Sequence, residues 1–197
     1  MRTISSRLGV PSAAALGAGF APGSRLLVVD LGGSTLDLAL VALQGGEGRA
    51  APIAQLLRLG GRELGDGSRQ RLRHAEVLGK AGLQLGGRDI DRWIIDHLCP
   101  GVTVTRAWLE AAERLKCRLS DPDLPEQTEL VEQVPNADEA QLRLSRRNLD
   151  ALLNERGLGQ ALEQLLEATL TGGRRHGCDL GELDGIVAVG GGAQLPW

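Results

Sequence analysis

The chain predicts a mixed α/β fold, and three observations carry that prediction. The apolar run Leu26-Leu27-Val28-Val29 and the alternating stretch from Leu36 to Leu43 flank a tight glycine turn, as two paired strands would. Ile90, Trp93, Ile94 and Leu98 recur at helical spacing in the middle of the chain. A late apolar run, Ile186-Val187-Ala188-Val189, ends in three glycines and reads as a buried strand. The order is therefore strands, helices, strands, helix, strand, with no internal repeat.

Pro11 to Leu16 signals a short helix with proline near its start. Strands follow at 26–31 and 36–43, and Gln44 to Gly48 reads as a hairpin turn. A third strand is expected at 52–59. Residues 60–74 break the pattern, because Gly60, Gly61, Gly65 and Gly67 alternate with Arg62, Arg69, Arg71 and Arg73. This segment predicts an exposed basic loop, either a solvated insertion or a partner site. Gly86-Gly87 opens a helix that Pro100 and Gly101 stop. Thr105 is placed to cap a longer helix through Ser120, ended by Pro122 and Pro125. Thr128–Val134 and Gln141–Leu144 alternate like two paired strands. Ser145 caps a helix that continues, with a weak point at Gly157 and Gly159, to about Leu170, and Gly172-Gly173 ends it.

Composition excludes several classes. Net charge is −3, so there is no basic footprint for nucleic acid. Aromatic content is 2%, with no Tyr, which removes stacking platforms and leaves a core of Leu, Val, Ile and Ala. No apolar run is long enough to cross a bilayer. Cys99, Cys117 and Cys178 are odd in number and widely spaced, with no signal peptide ahead of them. They predict reduced thiols in a cytoplasmic protein. His74, His97 and His176 show no metal-ligand spacing.

Chemistry concentrates at Asp30-Leu31-Gly32-Gly33-Ser34-Thr35-Leu36-Asp37. Glycines let backbone N–H groups approach an anion closely, and the Ser34 and Thr35 hydroxyls add donors. Asp30 and Asp37 beside a phosphate call for Mg²⁺ or a polarised water, since bare carboxylates repel an anion. The same residues also suit an ordinary hairpin. A second constellation is the stripe Glu113, Lys116 and Ser120, spaced i, i+3 and i+7 on one helix. It is either a solvated face with a Glu113–Lys116 pair or a polar rail for a sugar or base. A third is Gly190-Gly191-Gly192 with Gln194, a tight connection or a close approach for a nucleotide beyond a strand end.

Together these motifs resemble the nucleotide-binding domain of the DnaK-type seventy-kilodalton heat-shock chaperones, within the actin-like ATPase superfamily. Residues 30–37 look like that family's second phosphate motif, D-L-G-G-G-T-F-D. Leu85-Gly86-Gly87-Arg88-Asp89-Ile90-Asp91 looks like L-G-G-E-D-F-D, and 110–120 like the adenosine-contacting helix. Val189 to Pro196 looks like V-G-G-x-T-R-x-P, and Pro11 to Ala15 like the connecting segment P-T-A-A-A. The resemblance implies an actin-like (ribonuclease H-like) second lobe with a mixed sheet and a small inserted α+β subdomain. Its core would comprise 1–85 and 145–197, with a basic insertion at 58–74, and 86–144 would be the nucleotide-contacting insert.

The resemblance also implies ATP or ADP and Mg²⁺ as ligands. Asp30 would hold the metal through water. Gly32, Gly33, Ser34 and Thr35 would touch the phosphates, and Thr35 and Asp37 would serve hydrolysis with Asp30. Glu113, Lys116 and Ser120 would contact adenosine, with Gly190, Gly191, Gly192 and Gln194 beneath it. Further partners would be a separate first lobe, or unfolded clients through a domain outside this sequence. The departures are specific. Val10 stands where the family has a catalytic Glu, Cys117 where an Arg often follows the helix lysine, and Gln194 where the adenosine motif has Arg. The family's first phosphate motif, D-L-G-T-T, and its lobe have no counterpart here. The expectation is a truncated chaperone ATPase lobe, weak or inactive in hydrolysis alone. The alternative is a non-catalytic interaction module on the same fold.

Overall fold

The computed structural model describes residues 10–46, 72–137 and 139–196. Helix α1 (Val10–Gly17) precedes β1 (Arg25–Leu31), β2 (Leu36–Gly46) and β3 (Leu72–Leu83). Helices α2 (Gly87–Leu98) and α3 (Arg106–Leu119) follow, then β4 (Glu129–Gln133) and β5 (Gln141–Ser145). The chain closes with α4 (Arg146–Glu155), α5 (Leu158–Arg174) and β6 (Gly185–Val189). One sheet has the order β3-β2-β1-β6, and β4-β5 form a second. β1 pairs antiparallel with β2 and parallel with β6, so the larger sheet is mixed.

Period-two alternation explains how this sheet is covered on both faces. Leu27, Leu31, Leu36 and Leu38 point into the main core with Ile90, Ile94, Leu115, Leu149 and Leu165. Leu26, Val28, Ala39, Val41 and Leu43 point the other way, against Ala15 of α1. Burying each such Leu or Ile contributes about 1.5–3 kcal/mol.

Several expected elements form as read. β4 and β5 pair antiparallel. The Ser145 hydroxyl accepts from the Asn148 N–H at 3.2 Å and caps α4. Thr105 stands at the N-cap of α3, although its side chain makes no capping bond.

Others differ. The weak point at Gly157 is a complete break, because its φ of +81° is left-handed and separates α4 from α5. Gly172-Gly173 does not end α5, which runs on to Arg174. A Cβ at Gly173 would overlap the Leu40 side chain, so these glycines serve the close packing of α5 on the sheet rather than a stop. β6 is an edge strand among the described residues, and Ile186 is 65% exposed rather than buried. Composition gave β6 the look of a buried strand, but composition does not report whether a second layer covers it. The third strand expected at 52–59 and most of the basic loop lie outside the described residues. Leu72–His74 open β3, and the hairpin turn expected from Gln44 begins as strand, through Gly46.

Candidate functional site

Residues 30–37 form the end of β1, a four-residue turn and the start of β2, with Asp30 directly opposite Asp37. Gly32 N–H donates to the Thr35 carbonyl at 2.9 Å and closes the turn. Gly33 and Ser34 are exposed, while Asp30, Thr35 and Asp37 are half-buried. The N–H groups of Gly33, Ser34 and Thr35 have no acceptor among the described residues. The side chains of Asp30, Ser34, Thr35 and Asp37 likewise form no hydrogen bond or ion pair among them. Burial first, and the neighbouring Asp37 charge second, push the Asp30 carboxyl above its ordinary value. Three unpartnered donors, two free hydroxyls and two close carboxylates suit an anion together with a hard cation.

The turn is held from behind by the N-terminus of α2. Gly87 N–H donates to the Gly32 carbonyl and Arg88 N–H to the Gly33 carbonyl, both at 2.9 Å. These are donors that a helix cannot satisfy internally. The approach is so close that a Cβ at Gly86 would overlap the backbone of Gly33 and Ser34. That contact is the physical reason for Gly at this point in Leu85-Gly86-Gly87.

The glycines after β6 reach the same place from the other side. Asp30 is in register with Val189. Gly190 takes a φ of +83°, and a Cβ there would overlap the Leu31 carbonyl and sit 2.7 Å from Asp30 Oδ1. Gly191 and Gln194, both exposed, lie on the short 3₁₀ turn that follows, and Leu195 anchors that turn in the main core.

The helix stripe behaves differently from expectation. Lys116 makes no pair with Glu113. Its Nζ donates to Asp91 Oδ1 at 2.6 Å and to the Gly87 carbonyl at 2.8 Å. The Ser120 hydroxyl donates to the Lys116 carbonyl at 2.9 Å, so it is engaged within its own helix. Glu113 is exposed, and its charge helps to raise the Asp91 carboxyl. No hydrogen bond joins Glu113, Ser120 or Gln194 to the turn among the described residues. The structure therefore gathers Asp30, Thr35, Asp37 and Gly190 around one turn, with Lys116 behind it.

Asp91 is the residue that the motif reading left without a role. It is 4% exposed, within the apolar face Ile90, Ile94 and Ile95. A carboxylate inside a buried helical stripe needs a cation, and that signal was present in the sequence. Among the described residues no cluster of three His, Cys, Asp or Glu forms a metal cage. The three cysteines are free thiols. Two cavities, of about 550 and 570 Å³, lie elsewhere, and no residue of 30–37 lines either. No helix among the described residues is long and apolar enough to cross a membrane.

No protein-family profile matches the chain. Among curated proteins, the chaperone protein DnaK of Prochlorococcus marinus (strain MIT 9515) is 30% identical over 206 aligned positions, which cover 94% of this chain. The chain spans 27% of that relative's length. The chain is thus distantly similar to that DnaK chaperone protein along nearly its whole length.

Proposed function

We propose that this chain is an ATP-binding lobe of a divergent DnaK-like chaperone ATPase, with the actin-like lobe architecture. The observation that carries the reading is the turn at 32–35. Its Gly33, Ser34 and Thr35 N–H groups lack acceptors among the described residues, while its Gly32 and Gly33 carbonyls are fixed by α2. A turn clamped on its carbonyl side and open on its donor side is suited to phosphate oxygens. Residues 86–144 would form the nucleotide-contacting insert on the core made by 1–85 and 145–197.

The residues present fit Mg²⁺ bound with a nucleotide. Asp30 and Asp37 are close, half-buried and unpartnered among the described residues, and Mg²⁺ is usually held by one or two carboxylates plus phosphates and water. The metal would neutralise phosphate charge. Asp30 would hold it through water, Asp37 would orient water at the turn, and Ser34 and Thr35 would donate to phosphate oxygens. Gly190, Gly191 and Gly192 would lie under the nucleoside, with Glu113, Ser120 and Gln194 as its polar contacts.

Hydrolysis by this chain alone is expected to be negligible, because phosphoryl transfer depends on complete positioning and charge neutralisation. Val10, Cys117 and Gln194 replace a carboxylate and two cations that the resemblance would supply. Those three positions favour the second reading, a non-catalytic interaction module on the same fold. Client proteins and a complementary lobe would be partners of the longer assembly.

Isothermal titration with ATP and ADP, with and without Mg²⁺, tests the first reading. Mg²⁺-dependent binding lost in Asp30→Asn supports it, and no binding by the folded chain favours the second. Turnover well above background that Asp30→Asn abolishes would contradict the expectation of negligible hydrolysis.

A further inference from the structure

We propose that Asp91 and Lys116 are positioning residues that orient and polarise the Ser34 N–H through a continuous chain of hydrogen bonds. The inference rests on reading 30–37 as a phosphate site. The chain starts at the Asp91 carboxylate, which accepts from Lys116 Nζ at 2.6 Å. Lys116 Nζ also donates to the Gly87 carbonyl at 2.8 Å. That carbonyl shares a peptide unit with the Arg88 N–H, which donates to the Gly33 carbonyl at 2.9 Å. The Gly33 carbonyl in turn shares its peptide unit with the Ser34 N–H, which has no acceptor among the described residues. Two peptide units therefore separate a buried ammonium from an open donor at the tip of the turn.

Peptide dipoles aligned in this way polarise one another, and each bond strengthens the next. A cation at the carbonyl end draws electron density toward itself, which leaves the far N–H more positive. The ion pair suits this role better than an apolar contact. Side-chain exposures of 12% for Lys116 and 6% for Asp91 keep the field unscreened, and the bonds fix direction. The ammonium sits close against the turn backbone, since a Cβ at Gly87 would lie 3.2 Å from Lys116 Nζ and press on it. Two of the three ammonium donors are spent in this arrangement, so the lysine acts mainly behind the turn.

The test is the paired variant Asp91→Leu/Lys116→Met in the full chain, which removes the charges together and leaves none stranded. Amide hydrogen exchange of the nucleotide-free protein is read at Arg88, with Leu38 and Val41 as core references. Arg88 should exchange about tenfold faster relative to the references, the loss expected for one charge-assisted bond, and MgADP affinity should fall about as much. Lys116→Arg, which keeps a cation and donors for both partners, should recover most of the Arg88 protection. Unchanged Arg88 protection in the folded paired variant overturns the proposal. Should that variant fail to fold, the same reading on Asp91→Asn decides, with faster Arg88 exchange supporting the proposal and unchanged exchange overturning it. A wild-type chain that binds no MgADP overturns the phosphate reading and with it the purpose assigned to Ser34, whereas Arg88 exchange reports the pair's hold on the turn by itself.

Discussion

The turn at 30–37 and the face formed by α3, β4 and β5 use charge in opposite ways. On that face Glu132 takes Arg114 at 2.6 Å and Arg118 at 3.1 Å, and Glu129 takes Arg143 at 2.8 Å. The Arg114 hydrogen bond leads the effects that hold the Glu132 carboxyl below its ordinary value. At the turn, Asp30 has no cation partner among the described residues and faces Asp37, and burial and that charge hold it above its ordinary value. Matched charges serve the fold. Charges left unmatched in a half-buried place oppose the fold, and a ligand is the ready explanation for keeping them.

Four predictions break or sharpen this contrast. Lys116→Met should have the largest effect, because it strands Asp91 in the core. A loss of about 3 kcal/mol in chemical denaturation is expected, and a loss below about 0.5 kcal/mol would place the pair with ordinary surface ion pairs. Gly190→Ala comes next. It forces an L side chain into a left-handed backbone and against the Leu31 carbonyl, at a cost of about 1–3 kcal/mol, read by thermal unfolding.

Glu132→Gln should cost less than about 1 kcal/mol, since both arginines are about half exposed. Its pH signature has a fixed sign. A depressed carboxyl contributes stability above the unfolded value of 4.5, and that contribution is lost as pH falls through the lower folded value. Glu132→Gln should flatten that acid limb in a urea titration series.

Asp30→Asn should have the smallest effect on stability, of opposite sign. The Asp30 carboxyl is raised from 3.8, so the folded state holds the extra proton and stability falls as pH rises through the window just above 3.8. Removing the charge should remove that slope and leave the apo fold as stable as wild type or more so.

The parts of this contrast differed in how well the sequence showed them. The turn was legible as strand, glycine turn and strand because its residues are contiguous and the flanking apolar runs are local. Ser145 was legible as a cap for the same reason. The Asp91–Lys116 pair joins two helices 25 positions apart, so a local reading linked Lys116 to Glu113, its neighbour on α3. The path of α5 was hidden in the same way. Gly172 and Gly173 have low helix propensity, yet the sheet they pack against decides their conformation. The glycines at 86 and 190 were visible as motifs, but their reason, contact with the turn, appears only in three dimensions.

The most direct measurement is thermal unfolding of wild type and Asp30→Asn, each with and without ATP and Mg²⁺. A ligand that binds only the folded state raises its midpoint. The account predicts that nucleotide with Mg²⁺ raises the wild-type midpoint, that the variant alone unfolds at the same temperature or higher, and that nucleotide no longer shifts the variant. A variant that unfolds several degrees lower, with nucleotide shifting both proteins equally or neither, would make Asp30 a structural residue and contradict the account.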